Sequence, residues 1–138
     1  MEDTLQNKHA TQSVAAIRSM AVELGKLLDD HRGGEVVVMD MRELNFWTDF
    51  FIIATVTSST HSIGLEKHIK EFVRERELEI LHRSRKPKED DEWCLIDLGG
   101  IVIHLMTEKA RSFFELERLW SAASFIYKGD GAQSSKSS

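Results

Sequence analysis

This chain of 138 residues holds one cysteine, Cys94, and one proline, Pro87. A single thiol excludes an intramolecular disulfide and fits a reducing compartment. Basic charge is in deficit: 18 Lys and Arg stand against 23 Asp and Glu, a formal net charge of -5. Such a chain does not draw phosphates through its overall field, so little direct nucleic-acid contact is expected. A basic protein partner suits it better. The local patch of Arg83, Arg85, Lys86 and Lys88 is opposed at once by Glu89, Asp90, Asp91 and Glu92. No run approaches the roughly 18 apolar residues of a membrane span. The stretch Met1 to Thr11 is polar and lacks a signal-peptide apolar region. A cytoplasmic protein is the expectation.

Catalytic motifs are also missing. The six histidines form no His-x-x-x-His pair, and there is no Cys-x-x-Cys, so no metal site is announced. No Walker loop, G-x-G-x-x-G or G-x-S-x-G is present. Asp40 and Asp49 flank two apolar runs, but Arg42, not an acid, follows Asp40 at the second position. Metal-assisted phosphoryl transfer needs converging carboxylates. Strand-end and turn roles are therefore favoured for both. Thr57-Ser58-Ser59 offers hydroxyls at a strand-to-helix turn, which suit a helix cap better than an anion site. Cys94 reads as a small buried hydrophobe. No cofactor is expected.

What is present is a patterned hairpin, W-C-L-I-D-L-G-G-I-V-I-H-L-M, from Trp93 to Met106. Strand side chains alternate faces. With Gly99-Gly100 as a tight turn, Asp97 opposes Val102. One face is then apolar throughout: Cys94, Ile96, Leu98, Ile101, Ile103 and Leu105. The other mixes Trp93, Leu95, Asp97, Val102, His104 and Met106. A half-polar face with large apolar groups predicts a surface that meets a partner. Asp97 and His104 are predicted diagonal neighbours, near enough for a charge-assisted hydrogen bond.

Around the hairpin, the apolar spacing predicts a helix over Thr11 to His31, ended by Gly33-Gly34 in the left-handed region. Two buried strands follow, Val36 to Met41 and Phe50 to Val56. A helix from Thr60 to Glu77 turns Leu65, Ile69, Phe72 and Val73 inward. Leu78 to Arg83 reads as an edge strand and Ser84 to Glu92 as a charged linker. A last helix, Ala110 to Ala123, places Phe113, Leu116, Trp120 and Ala123 on its inward stripe. The order α-β-β-α-β-β-β-α predicts a single-domain α/β fold with a mixed sheet of about five strands flanked by helices. Residues 1–10 read as a flexible segment, 11–128 as the domain and 129–138 as a disordered tail.

Three pieces in order carry a resemblance: V-V-V-M-D-M-R-E-L-N-F-W-T-D-F-F-I-I-A-T-V-T-S-S, the hairpin, and R-S-F-F-E-L-E-R-L-W. Together they resemble the ribosomal silencing factors, also called the Iojap-like family, over Val14 to Ser121. The resemblance implies a nucleotidyltransferase-like fold without the catalytic carboxylates. It implies binding to the large ribosomal subunit through ribosomal protein L-fourteen, a block on small-subunit joining, and repressed translation. The family pattern falls on Thr48, Asp49, Thr57, Ser58, Trp93, Asp97, Gly99, His104, Arg111, Leu116, Glu117 and Trp120. Val56 stands where a glycine is usual, Phe114 where a tyrosine is, and Asn45 where a serine is common. The expected contact set is Trp93, Leu95, Asp97, Val102, His104, Met106, Arg111, Glu115, Leu116, Glu117 and Trp120. Two alternatives stand beside it: a nucleotide-binding enzyme using Asp40, Asp49 and the Thr57 turn, and a homodimer formed through the mixed face.

Overall fold

A computed structural model describes residues 14–43, 48–86, 93–114 and 124–129. Helix α1 spans Val14–Asp30 and buries Ala21, Leu24, Gly25 and Leu28. Residues 11–13 of the expected helix lie outside the described residues. Its end corrects one expectation. Neither Gly33 nor Gly34 turns left-handed; Arg32 does, at φ 74°. The Arg32 N–H donates to the Asp29 carbonyl (3.2 Å) and the Gly33 N–H to the Leu28 carbonyl (2.7 Å). This is the Schellman closure, in which a glycine normally takes the place Arg32 holds. Gly33 is needed for a different reason: a Cβ there would sit 2.8 Å from the Leu28 carbonyl oxygen. An L-residue in the left-handed region costs roughly 1–2 kcal/mol, partly offset in glycine by a freer unfolded chain. Arg32→Gly should therefore stabilise the fold by about 0.5–1 kcal/mol, read as a higher urea midpoint.

Strand β1, Gly34–Asp40, pairs antiparallel with β2, Phe50–Val56. Val36 to Met39 and Phe50 to Ala54 are all buried, as an apolar run sandwiched between two layers requires. Helix α2 is Ser59–Glu75 with Ser58 as N-cap; the Ser58 Oγ accepts the His61 N–H at 3.0 Å. Its inward side carries the expected Leu65, Ile69, Phe72 and Val73. Strand β3 is His82–Lys86, displaced from the expected Leu78 to Arg83. Leu78 and Ile80 pack against the core from the connection before it. Ser84 to Lys86, expected in a linker, pair with the next strand instead.

Strands β4, Trp93–Asp97, and β5, Ile101–Thr107, form the hairpin. Helix α3, Glu108–Phe114, follows directly. Phe113 does not face inward: it is 74 % exposed. Arg111, two residues earlier and so about 200° around the helix, takes the buried position. Leu116, Trp120 and Ala123 lie outside the described residues. A further strand, β6, Ser124–Lys128, pairs antiparallel with β1. It was not expected, although Phe125, Ile126 and Tyr127 favour strands.

Among the described residues the strands form one sheet in the order β3-β4-β5-β2-β1-β6. Only β2 and β5 run parallel; the other pairings are antiparallel, so the sheet is mixed. Six strands replace the expected five. On one face Leu24 and Leu28 of α1 and Leu65 and Ile69 of α2 meet Ile52, Cys94, Ile96, Ile103 and Leu105. Gly25 permits that approach, since a Cβ would lie 2.6 Å from Val38 Cγ2. The other face has its own apolar layer: Val37, Met39, Met41, Phe51, Ile53, Val102, Met106 and Ala110. Trp93 and Leu95 pack at its margin.

Candidate docking surface at the hairpin

The hairpin register is the expected one. Trp93 faces Met106, Leu95 faces His104 and Asp97 faces Val102. The apolar set lies in the core beneath α1 and α2. The mixed set divides by strand. On β4, which lies beside the edge strand, Trp93, Leu95 and Asp97 are half-buried. On β5, between β4 and β2, Val102, His104 and Met106 are buried. In this conformation those three form the floor beneath a surface. They expose almost no surface of their own, in contrast to the open mixed face read from the sequence.

The polar groups of this face pair differently from expectation. Asp97 Oδ1 accepts the Gly99 N–H at 2.8 Å and so fixes the turn, where Gly99 has φ 98°. The hydrogen bond to His104 comes from Trp93: the indole Nε1–H donates to His104 Nδ1 at 3.1 Å. The Phe51 ring meets the imidazole edge-on, with centroids 4.6 Å apart. Burial pushes the His104 pKa down to about 3, so the ring is neutral at physiological pH.

Other family-pattern residues hold the frame. The Asp49 backbone joins two elements: its N–H donates to the Gly100 carbonyl (3.1 Å) and its carbonyl accepts the Met41 N–H (2.8 Å). Thr48 is buried and its Oγ1 donates to the Phe50 carbonyl at 3.5 Å. Ser58 is the cap of α2, and the Thr57 N–H donates to His61 Nδ1 at 3.0 Å. Arg111 is buried; its guanidinium donates to Thr55 Oγ1 at 2.9 Å and ties α3 to the end of β2. Glu115, Leu116, Glu117 and Trp120 lie outside the described residues.

Little here supports chemistry. Arg42 clamps Asp40: its Nε lies 2.9 Å from Oδ1 and its Nη2 2.6 Å from Oδ2. That side-chain hydrogen bonding holds the Asp40 carboxyl below its usual range. A carboxylate so neutralised is a poor general base or magnesium ligand. Among the described residues no cluster of three or more His, Cys, Asp or Glu could hold a metal ion. Cys94 is buried and its thiol is pushed up to about 11, chiefly by burial, which makes it inert.

One cluster escaped the sequence reading. Glu66 of α2 is buried and binds both Arg83 (Nε to Oε1, 2.6 Å) and Arg85 of β3. Burial raises the Glu66 carboxyl, but the Arg83 hydrogen bond and the two guanidinium charges together outweigh it, and the net shift is downward. The signal was in the spacing. Ser62, Leu65, Glu66, Ile69, Phe72 and Val73 are the buried residues of α2, so a carboxylate sits within the inward stripe. A buried carboxylate needs a cation, and Arg83 and Arg85 share one face of their strand.

Comparison with known proteins gives this frame a lineage. A sequence model described as "Ribosomal silencing factor during starvation" matches residues 14–138. The chain belongs to the ribosomal silencing factor family. It is 33% identical over 100 residues to "Ribosomal silencing factor RsfS" of Treponema pallidum, covering 72% of this chain and 88% of that protein. It is 31% identical over 105 residues to "Protein Iojap, chloroplastic" of Arabidopsis thaliana, covering 76% of this chain but 43% of that longer protein. Among solved structures, a Bacillus halodurans protein superposes with a TM-score of 0.60 at 28% identity, covering 75% of this chain and 92% of that one. A Chromobacterium violaceum protein shares the fold, with a TM-score of 0.64 at 24% identity over 88% of this chain and 98% of its own. The mixed α/β architecture is thus that of solved relatives. No described helix is long and apolar enough to cross a membrane.

Proposed function

We propose that this chain binds the large ribosomal subunit through ribosomal protein L-fourteen and sterically prevents the small subunit from joining, so repressing translation. Family membership supports the ribosome as target. A mouse relative, 28% identical over 103 residues, is named "Mitochondrial assembly of ribosomal large subunit protein 1". The observation that carries the docking surface is the half-burial of Trp93 and Leu95 at the margin of the second apolar layer. Large apolar groups seated on a rigid sheet make efficient anchors. A net charge of -5 suits a basic ribosomal protein. Occupancy is the whole mechanism; no bond is made or broken, and the role belongs in the cytoplasm.

The test is a pull-down of purified large subunits at several salt concentrations. Trp93→Ala should weaken binding about tenfold and restore subunit joining in proportion. Full binding by a folded Trp93→Ala protein counts against this surface. Asp97 is a poorer probe, because its carboxylate caps the hairpin turn. Sedimentation of the free protein over a concentration series shows whether self-association competes for the same face.

A further inference from the structure

His104 is an expensive choice for its position. It is 3 % exposed, between Phe51 on the neighbouring β2 and Leu95 on β4. The indole nitrogen of Trp93 can only donate, so His104 Nδ1 must carry the lone pair and Nε2 the proton. That Nε2 is buried with no hydrogen-bond partner among the described residues. Burying an unpaired donor is unfavourable, and a phenyl ring of similar size would avoid the cost. The imidazole does one thing a phenyl ring cannot: it accepts the Trp93 N–H from below the sheet surface.

We propose that His104 is a positioning residue for docking, holding the Trp93 indole by its N–H so that the ring presents carbon surface, and no donor, to the partner. This rests on the docking role proposed for Trp93. The geometry supports it from both ends. The imidazole sits on a central strand, fixed by Phe51 at a 64° interplanar angle. The indole lies on the outer strand of the hairpin, with its centroid 5.8 Å from the imidazole and tilted by 41°. A bond between a fixed interior ring and a half-exposed one removes rotamers before binding, and that is preorganisation. It also sets specificity. With its N–H turned inward, the indole recognises aliphatic or cationic side chains, not a carbonyl or phosphate acceptor.

The test joins spectroscopy to binding. In the nitrogen-15-labelled full chain, the Trp93 indole N–H, assigned with Trp93→Phe, should show scalar coupling to His104 Nδ1. His104→Phe should keep the fold by circular dichroism, lose the coupling, and weaken binding to purified large subunits about fivefold, as expected for one lost hydrogen bond. His104→Asn, whose Oδ1 replaces the Nδ1 acceptor, should bind within about twofold of the parent protein. If His104→Phe does not fold, replacing Trp93 alone by 3-benzothienylalanine deletes the donor and keeps the shape; the same fivefold loss is expected. Absence of the coupling overturns the proposal. So does parental binding by the folded His104→Phe or benzothienyl protein while Trp93→Ala loses binding; the docking role then survives. Undiminished binding by Trp93→Ala removes both.

Discussion

Glu66→Ala is expected to lower the free energy of unfolding by about 3 kcal/mol, measured by urea denaturation at neutral pH. The substitution removes the one buried carboxylate that binds Arg83 and Arg85. Arg83 is 40% exposed and can turn to water, which limits the loss. Arg85 is far less exposed and pairs in register with buried Cys94, so losing the Glu66 carboxylate weighs more heavily on it. Leaving a charge without its partner is the costly way to break such a group. The damage should be local first. Among the described residues strand β3 has a neighbouring strand on only one side, β4, and Glu66 pins it to α2. Amide exchange across His82 to Lys86 should accelerate before the central strands respond.

The second large effect is a loss of about 2 kcal/mol of stability between pH 7 and pH 5, absent in His104→Phe. Burial holds the folded His104 pKa near 3, whereas an unfolded histidine titrates near its ordinary value of about 6.5. Below the ordinary value the unfolded chain takes up a proton that the folded chain refuses. Stability is therefore complete above that value and falls as the pH drops toward 3, by about 1.4 kcal/mol per pH unit. Asp40 and Glu66 do not interfere in this window. Both are shifted downward, so their contributions are lost only as the pH falls through the acidic carboxylate range. Parallel urea curves for the parent and His104→Phe at pH 7 and pH 5 isolate the imidazole. Equal losses in both proteins would sink the assignment.

The sequence was most legible where one local rule decided the outcome. Strand β2 begins and ends as expected, because its unbroken apolar run admits few alternatives. The hairpin register followed from Gly99-Gly100 and strict alternation. The sequence was least legible where a distant partner decides. Strand β6 pairs on the edge that β1 offers, and its three strand-favouring residues, Phe125, Ile126 and Tyr127, are too short a run to announce it unaided. Polar atoms on β5 suggested a wet face. Yet two strands buried on both faces already demanded a second covering layer, and the parallel β2–β5 pairing places His104 within it. The outer strand of the hairpin leaves Trp93, Leu95 and Asp97 half-exposed, whereas Val102, His104 and Met106 are buried with that layer, which alternation alone did not reveal.

The pairing of Asp40 with Ser124 has a consequence during synthesis. Strand β1 is followed directly in the chain by its partner β2. Its other flank stays open until β6, the last described strand, has been made. Over that interval the nascent protein carries an exposed apolar edge able to recruit foreign strands. That flank is thus the place where misassembly can begin while the chain is still being made.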